Sequence, residues 1–274
     1  MKQVDGVILD WAGTTVDFGC FAPVLVFLQI FKTAGIDVTM AEARAPMGLL
    51  KKDHIRAMLQ MPRIAKLWEE KKGRSFCEQD IDELYASFEP ALLASLTEYT
   101  QPLPEVIETM KILRESGLKI GSTTGYTDVM MTIVTAGAKD KGYEPDFWIT
   151  PDSTAGYGRP YPYMIFRNIE VLRLAAPWTV VKVGDTAADI KEGIQAGVWT
   201  VGVVVGSSQM GLSQAEFEGL SAAEKTRVIM NTEQAFLDYG ADFTIKTMQE
   251  LPELIERINM LIRQGKRPCR LERN

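Results

Sequence analysis

The first feature of this chain that could do chemistry is an aspartate directly after three branched apolar residues. Val7-Ile8-Leu9 reads as a short strand buried on both faces, and Gly13 with Thr14 and Thr15 as a tight loop leaving it. Asp10 therefore falls at the carboxyl end of a buried strand, where ligands bind in open parallel sheets. A carboxylate there can hold Mg2+ or attack an electrophile, and the loop amides after it can bind a phosphate. Later strand ends carry Thr124, a basic loop with Arg159, and Asp185 with Asp189 one helical turn on. A carboxylate nucleophile, a hydroxyl, a cation and an acidic pair suit Mg2+ and phosphoryl transfer through an aspartyl phosphate.

A second group lies between residues 44 and 58. On a helix starting near Pro46, Met47, Lys51, His54 and Met58 share one face, so a lysine and the single histidine of the chain stand together against methionines. A lysine desolvated in such a pocket loses basicity and can condense with a carbonyl to an imine. The imine is an electron sink. If the substrate carries a phosphonate on the carbon next to an aldehyde, the C–P bond can break with its electrons flowing into an enamine.

The elements that must position these groups follow from composition and periodicity. The 274 residues are 46% hydrophobic, enough for a full core. The net charge of -6 argues against nucleic-acid or anionic-membrane surfaces. No signal peptide or 18-residue apolar run is read, and Cys20, Cys77 and Cys269, without a CxxC, fit a reducing, cytoplasmic compartment. Helical patterns fill 22–34, 41–44, 47–60, 62–73, 78–87 and 89–97, with Pro46, Pro62 and Pro90 near helix starts. Beyond the stiff link through Pro102 and Pro104, strand and helix alternate, with strands at 118–123, 147–150, 179–183, 200–205 and 241–245. The reading is an α/β fold: a doubly wound parallel sheet with an inserted all-helical cap. Residues 1–20 and 101–264 form the core, 21–100 the cap and 265–274 a flexible tail, while 209–240 form a surface helical excursion.

The ordered motifs around Asp10, Thr124, Arg159 and Asp185 with Asp189 resemble those of the haloacid dehalogenase superfamily, whose Rossmann-like core carries a cap between its first two strands. Residues 10–17, 46–51, 121–127, 158–162 and 182–186 are similar to the signatures of its C–P-cleaving branch. The resemblance implies that Asp10 attacks phosphorus and Lys51 forms the imine, with Met47 and His54 assisting its proton handling. Mg2+ would be held by Asp10, the Ala12 carbonyl and Asp185, and Asp189 would orient Lys182 or the metal's waters. Thr124 and Arg159 would bind the phosphonate, with Cys20, Gly48 and Tyr126 lining the pocket. The substrate would be a small phosphono-aldehyde, and the protein a homodimer through its cap helices.

One departure is informative. Phosphatases of the superfamily carry a general acid two residues after the nucleophile, and here that position is Ala12. Its loss costs on the order of 10²–10⁴ in rate when an alkoxide must leave. A C–P bond that breaks into an enamine needs no such acid, which disfavours an ordinary phosphomonoesterase. A catalytically silent fold would be expected to lose other site residues too.

Overall fold

Strand β1 (Gly6–Leu9) is buried throughout, as a strand covered on both faces requires. In the computed structural model, which describes residues 3–268, five helices follow it: α1 (Phe21–Thr33), α2 (Met40–Arg44), α3 (Lys51–Leu59), α4 (Pro62–Lys72) and α5 (Glu78–Ser95). The chain then alternates through α6 (Val106–Glu115), β2 (Lys119–Thr123), α7 (Asp128–Asp140), β3 (Phe147–Ile149), α8 (Tyr163–Leu172), β4 (Val180–Gly184), α9 (Ala187–Ala196) and β5 (Trp199–Val203). It ends with α10 (Gln214–Gly219), α11 (Ala222–Asp238), β6 (Phe243–Ile245) and α12 (Leu251–Arg263).

All six strands are parallel and lie in the order β3-β2-β1-β4-β5-β6. This is the doubly wound sheet expected, and its strand order reverses between β1 and β4, where the crevice for ligands opens. Leu9 is in register with Ser122 on one side and Val183 on the other. Asp10 thus leaves the sheet level with the ends of β2 and β4, and its N–H donates to the Val183 carbonyl at 3.0 Å.

Three expectations need correction. The helix predicted over 47–60 begins only at Lys51, because Gly48 sits at φ 89°, outside the right-handed helical region. Helix α5 does not break before Pro90. Ile81, Leu84, Phe88 and Leu92 anchor its buried face, and the carbonyl that the proline ring displaces belongs to Ala86, on the solvent side. The 209–240 excursion is not wholly superficial, since Phe236 on α11 is buried and fills the space that Gly202 of β5 leaves without a Cβ. Of the predicted tail, the Arg267 guanidinium stands 5.0 Å over the Trp178 ring. Residues 269–274, Cys269 among them, lie outside those described.

Candidate active site

The loop leaving β1 is stapled by its own backbone. The Trp11 carbonyl accepts from the N–H groups of Thr14, Thr15 and Val16, and Gly13 N–H donates to Val16 at 2.7 Å. Those four amides are therefore spent inside the loop, and the phosphate cradle expected of them is not available there. Asp17 then caps α1 by accepting from the N–H groups of Phe21 and Ala22, both at 3.0 Å. Its burial pushes the carboxyl up to about 7.

A small cavity of about 20 Å³, room for a water or so, is lined by Asp10, Ala12, Cys20, Met47, Gly48, Lys51, Thr124, Tyr126 and Arg159, together with Gly125 and Thr186. The walls come from both sides of the chain's division: Met47 to Lys51 from the helical insertion, the rest from loops at or near the sheet's carboxyl edge. Close approach depends on glycine. A Cβ on Gly125 would stand 2.7 Å from the Leu49 carbonyl oxygen, and one on Gly48 would clash with the Thr186 hydroxyl.

Lys51 is 3% exposed. Burial holds its amine down at about 8, although the Asp10 charge opposes that shift. Its Nζ stands 4.8 Å from the centroid of the Tyr126 ring. The neighbouring Lys52 instead pairs with Asp82 at 2.6 Å on the solvent side. Burial pushes the Cys20 thiol up, so it is a protonated wall group rather than a nucleophile.

His54 is placed behind this wall, not in it. Its ring stacks on Phe27 with centroids 3.8 Å apart, and Nε2 lies 2.9 Å from the Ala43 carbonyl, which makes Nε2 the protonated nitrogen. Burial, reinforced by the Lys51 charge, keeps the imidazole neutral and leaves Nδ1 without a partner.

Beneath the cavity lies a buried charge network. Arg159 reaches Asp10 at 2.6 Å, Asp189 at 3.0 Å and Glu192 at 3.1 Å, and donates to the Thr123 carbonyl at 2.8 Å. Lys182 reaches Asp189 at 2.9 Å and donates to the Thr123 hydroxyl at 2.9 Å. Burial works against ionised Asp189, but Arg159 and Lys182 outweigh it and hold its carboxyl low. Removing one partner of such a network leaves a charge buried alone, at a cost of about 3–5 kcal/mol.

Among the described residues no cation forms an ion pair with Asp185. Ser208 N–H donates to its Oδ2 at 2.7 Å, and Thr14 Oγ1 lies 3.4 Å from Oδ1. Burial, then the charges of Asp10 and Asp189, push its carboxyl well above the usual range. The oxygens of Asp10, Asp185 and Asp189 come within 4.8 Å of one another. Four buried carboxylates, Asp10, Asp185, Asp189 and Glu192, face two fully engaged cations, Arg159 and Lys182. Three carboxyl groups converging on one point, one of them held protonated by burial and its neighbours' charges, fit a divalent, oxygen-loving cation such as Mg2+, which would relieve that repulsion. The sequence reading missed Glu192, though its spacing of three from Asp189 on α9 points both inward. It also passed over Thr186, whose hydroxyl caps α9 and donates to Asp189 at 2.5 Å.

The family model for haloacid dehalogenase-like hydrolases matches residues 4–197. The phosphonoacetaldehyde hydrolase of Lysinibacillus sphaericus is 56% identical over 257 residues, covering 94% of this chain and 96% of the relative. That of Parabacteroides distasonis is 50% identical over 260 residues, covering 94% and 98%. A crystal structure described as a phosphonoacetaldehyde hydrolase-like protein from Oleispira antarctica superposes with a TM-score of 0.94 at 38% identity, covering 97% of this chain and 96% of its own. The chain belongs to the haloacid dehalogenase-like hydrolases and, among them, to the phosphonoacetaldehyde hydrolases. It is a hydrolase with the superfamily's Rossmann-like parallel core.

Proposed function

We propose that this protein hydrolyses the C–P bond of phosphonoacetaldehyde to acetaldehyde and phosphate, through an imine on Lys51 and an aspartyl phosphate on Asp10. One observation carries the reading: a buried lysine with its amine held at about 8 shares a small cavity with an aspartate. A neutral amine adds to the aldehyde carbonyl, and loss of water gives a protonated imine. The Asp10 carboxylate then attacks phosphorus as the C–P electron pair moves into the enamine. Thr124 and Arg159 hold the phosphonate, and Arg159 also fixes the Asp10 carboxylate. Met47 keeps the amine desolvated, and His54, held neutral behind the wall, places no charge of its own beside the Lys51 amine. Protonation of the enamine carbon and two hydrolyses, of imine and of acyl phosphate, release the products. Mg2+, held by Asp10, Asp185 and the Ala12 carbonyl, would offset charge on the phosphoryl oxygens. Asp189 orients Lys182 and Arg159 below it.

Both covalent intermediates are hydrolysable, so a cavity with room for little more than one water protects them until the chemistry is done. Substrate can enter only if residues 21–100 move as a cap against a core of 1–20 and 101–264. The same reading makes the protein a homodimer joined through its cap helices. A cytoplasmic setting is supported by free cysteines at Cys20 and the exposed Cys77, and no helix among the described residues is long and apolar enough to cross a membrane.

The test is borohydride trapping. With phosphonoacetaldehyde present, reduction should leave a stable secondary amine on Lys51, located by peptide mass, and abolish activity. Lys51→Arg should lower acetaldehyde release by at least about 10³-fold. Undiminished release by that variant would sink the proposal.

A further inference from the structure

A second cavity, about 560 Å³, shares Met47 and Thr186 as walls with the catalytic one. It lies between α2 and the loop after β5, and Arg44 is the one charged side chain among the described residues that line it. The Arg44 Nη1 donates to the Gly19 carbonyl, its guanidinium sits 4.7 Å over the Phe21 ring, and the Ser208 hydroxyl is 3.4 Å away. Its Nε and Nη2 are buried without a partner. Asp17, Asp185 and Glu216 are close enough to act on its charge, yet among the described residues no carboxylate forms an ion pair with it. Arg44 thus brings the one positive charge to the wall of a chamber that adjoins a phosphonate site, and a small rotation of its guanidinium would turn the unpartnered Nε and Nη2 toward the paired oxygens of a tetrahedral oxyanion.

We propose that Arg44 is an anion-docking residue at the mouth of the catalytic cavity, which receives the phosphonate of the incoming substrate or the phosphate leaving it. The substrate half rests on the reaction proposed above; the phosphate half does not. A cation so placed raises the capture rate of an anionic substrate in a salt-dependent way.

The test compares the Mg2+-loaded full chain with Arg44→Gln and Arg44→Lys, using phosphonoacetaldehyde turnover and calorimetric titration with inorganic phosphate. Arg44→Gln should lower kcat/KM by about tenfold, more than it lowers kcat, and flatten the fall of kcat/KM with ionic strength. It should weaken phosphate binding by a similar factor. Arg44→Lys should restore the salt dependence better than the phosphate affinity, since an ammonium lacks the fork. A loss in kcat/KM with unchanged phosphate affinity assigns the site to entry; the reverse assigns it to product release. If both quantities stay within about twofold of the parent, or kcat and melting temperature fall while KM and the salt slope do not, Arg44 only ties α2 to Gly19 and the proposal is wrong. A parent enzyme inactive on phosphonoacetaldehyde would refute the reaction instead, and the phosphate titration would still judge Arg44.

Discussion

The Lys51 ammonium stands 4.8 Å above the Tyr126 ring, in a pocket where both side chains are 3% exposed. The ring face favours the charged amine, while burial favours the neutral one and wins, leaving Lys51 at about 8.

If Lys51 forms the proposed imine, the reaction needs its neutral amine, so kcat/KM for phosphonoacetaldehyde should rise with pH through about 8 and then level. Tyr126→Leu keeps the wall apolar but removes the ring's preference for charge. The acidic limb should then move down by about half a unit to one and a half units, on a cation–π worth of about 0.5–2 kcal/mol. A pH–rate series on the two proteins reads the shift, and an upward move would contradict this account of Lys51.

Asp185 carries a proton more readily folded than unfolded, so in the absence of divalent cation it makes stability fall as pH rises above the usual carboxylate range. Asp185→Asn should therefore raise the melting temperature of the metal-free protein at pH 8. The same change should weaken Mg2+ binding by about 100-fold and remove most of the stabilisation, about 2.7 kcal/mol at a hundredfold excess over Kd, that Mg2+ gives the parent. Thermal scans with and without Mg2+ show both signs.

Gly125 needs no left-handed backbone, but a Cβ there would meet the Leu49 carbonyl at 2.7 Å. Gly125→Ala should thus hold the insertion away from the core without straining its own loop. The expected result is a kcat lowered by about 10²-fold, as misplacement of reacting groups by an ångström brings, with little change in melting temperature. Unaltered turnover would mean that closure against Gly125 is not required.

Ala12 lines the catalytic cavity where phosphatases of the superfamily carry their general acid. Ala12→Asp should raise p-nitrophenyl phosphate hydrolysis by about 10²-fold and leave acetaldehyde release no faster. Parallel assays of the two substrates decide it.

Asp10 was legible in the linear sequence because Val7-Ile8-Leu9 is an unbroken apolar run, and the residue after such a run falls at the sheet's carboxyl edge; Thr124 and Asp185 end strands of mixed composition and were placed by the alternation of strand and helix. The parallel α/β class followed from the same alternation. What periodicity could not show is anything set by contact between distant segments. Met47 reaches the cavity from a turn rather than a helix, because Gly48 folds back against Thr186. His54, one turn along from Lys51, packs against Phe27 outside the cavity. The helix runs through Pro90 because tertiary burial of Phe88 and Leu92 outweighs the one bond the proline removes. Lys51 and Lys52 are chemically identical neighbours in the sequence; folding buries one beside Tyr126 and pairs the other with Asp82 in water. Local pattern decides which residues can do chemistry, and desolvation, which only the assembled chain supplies, decides which of them will.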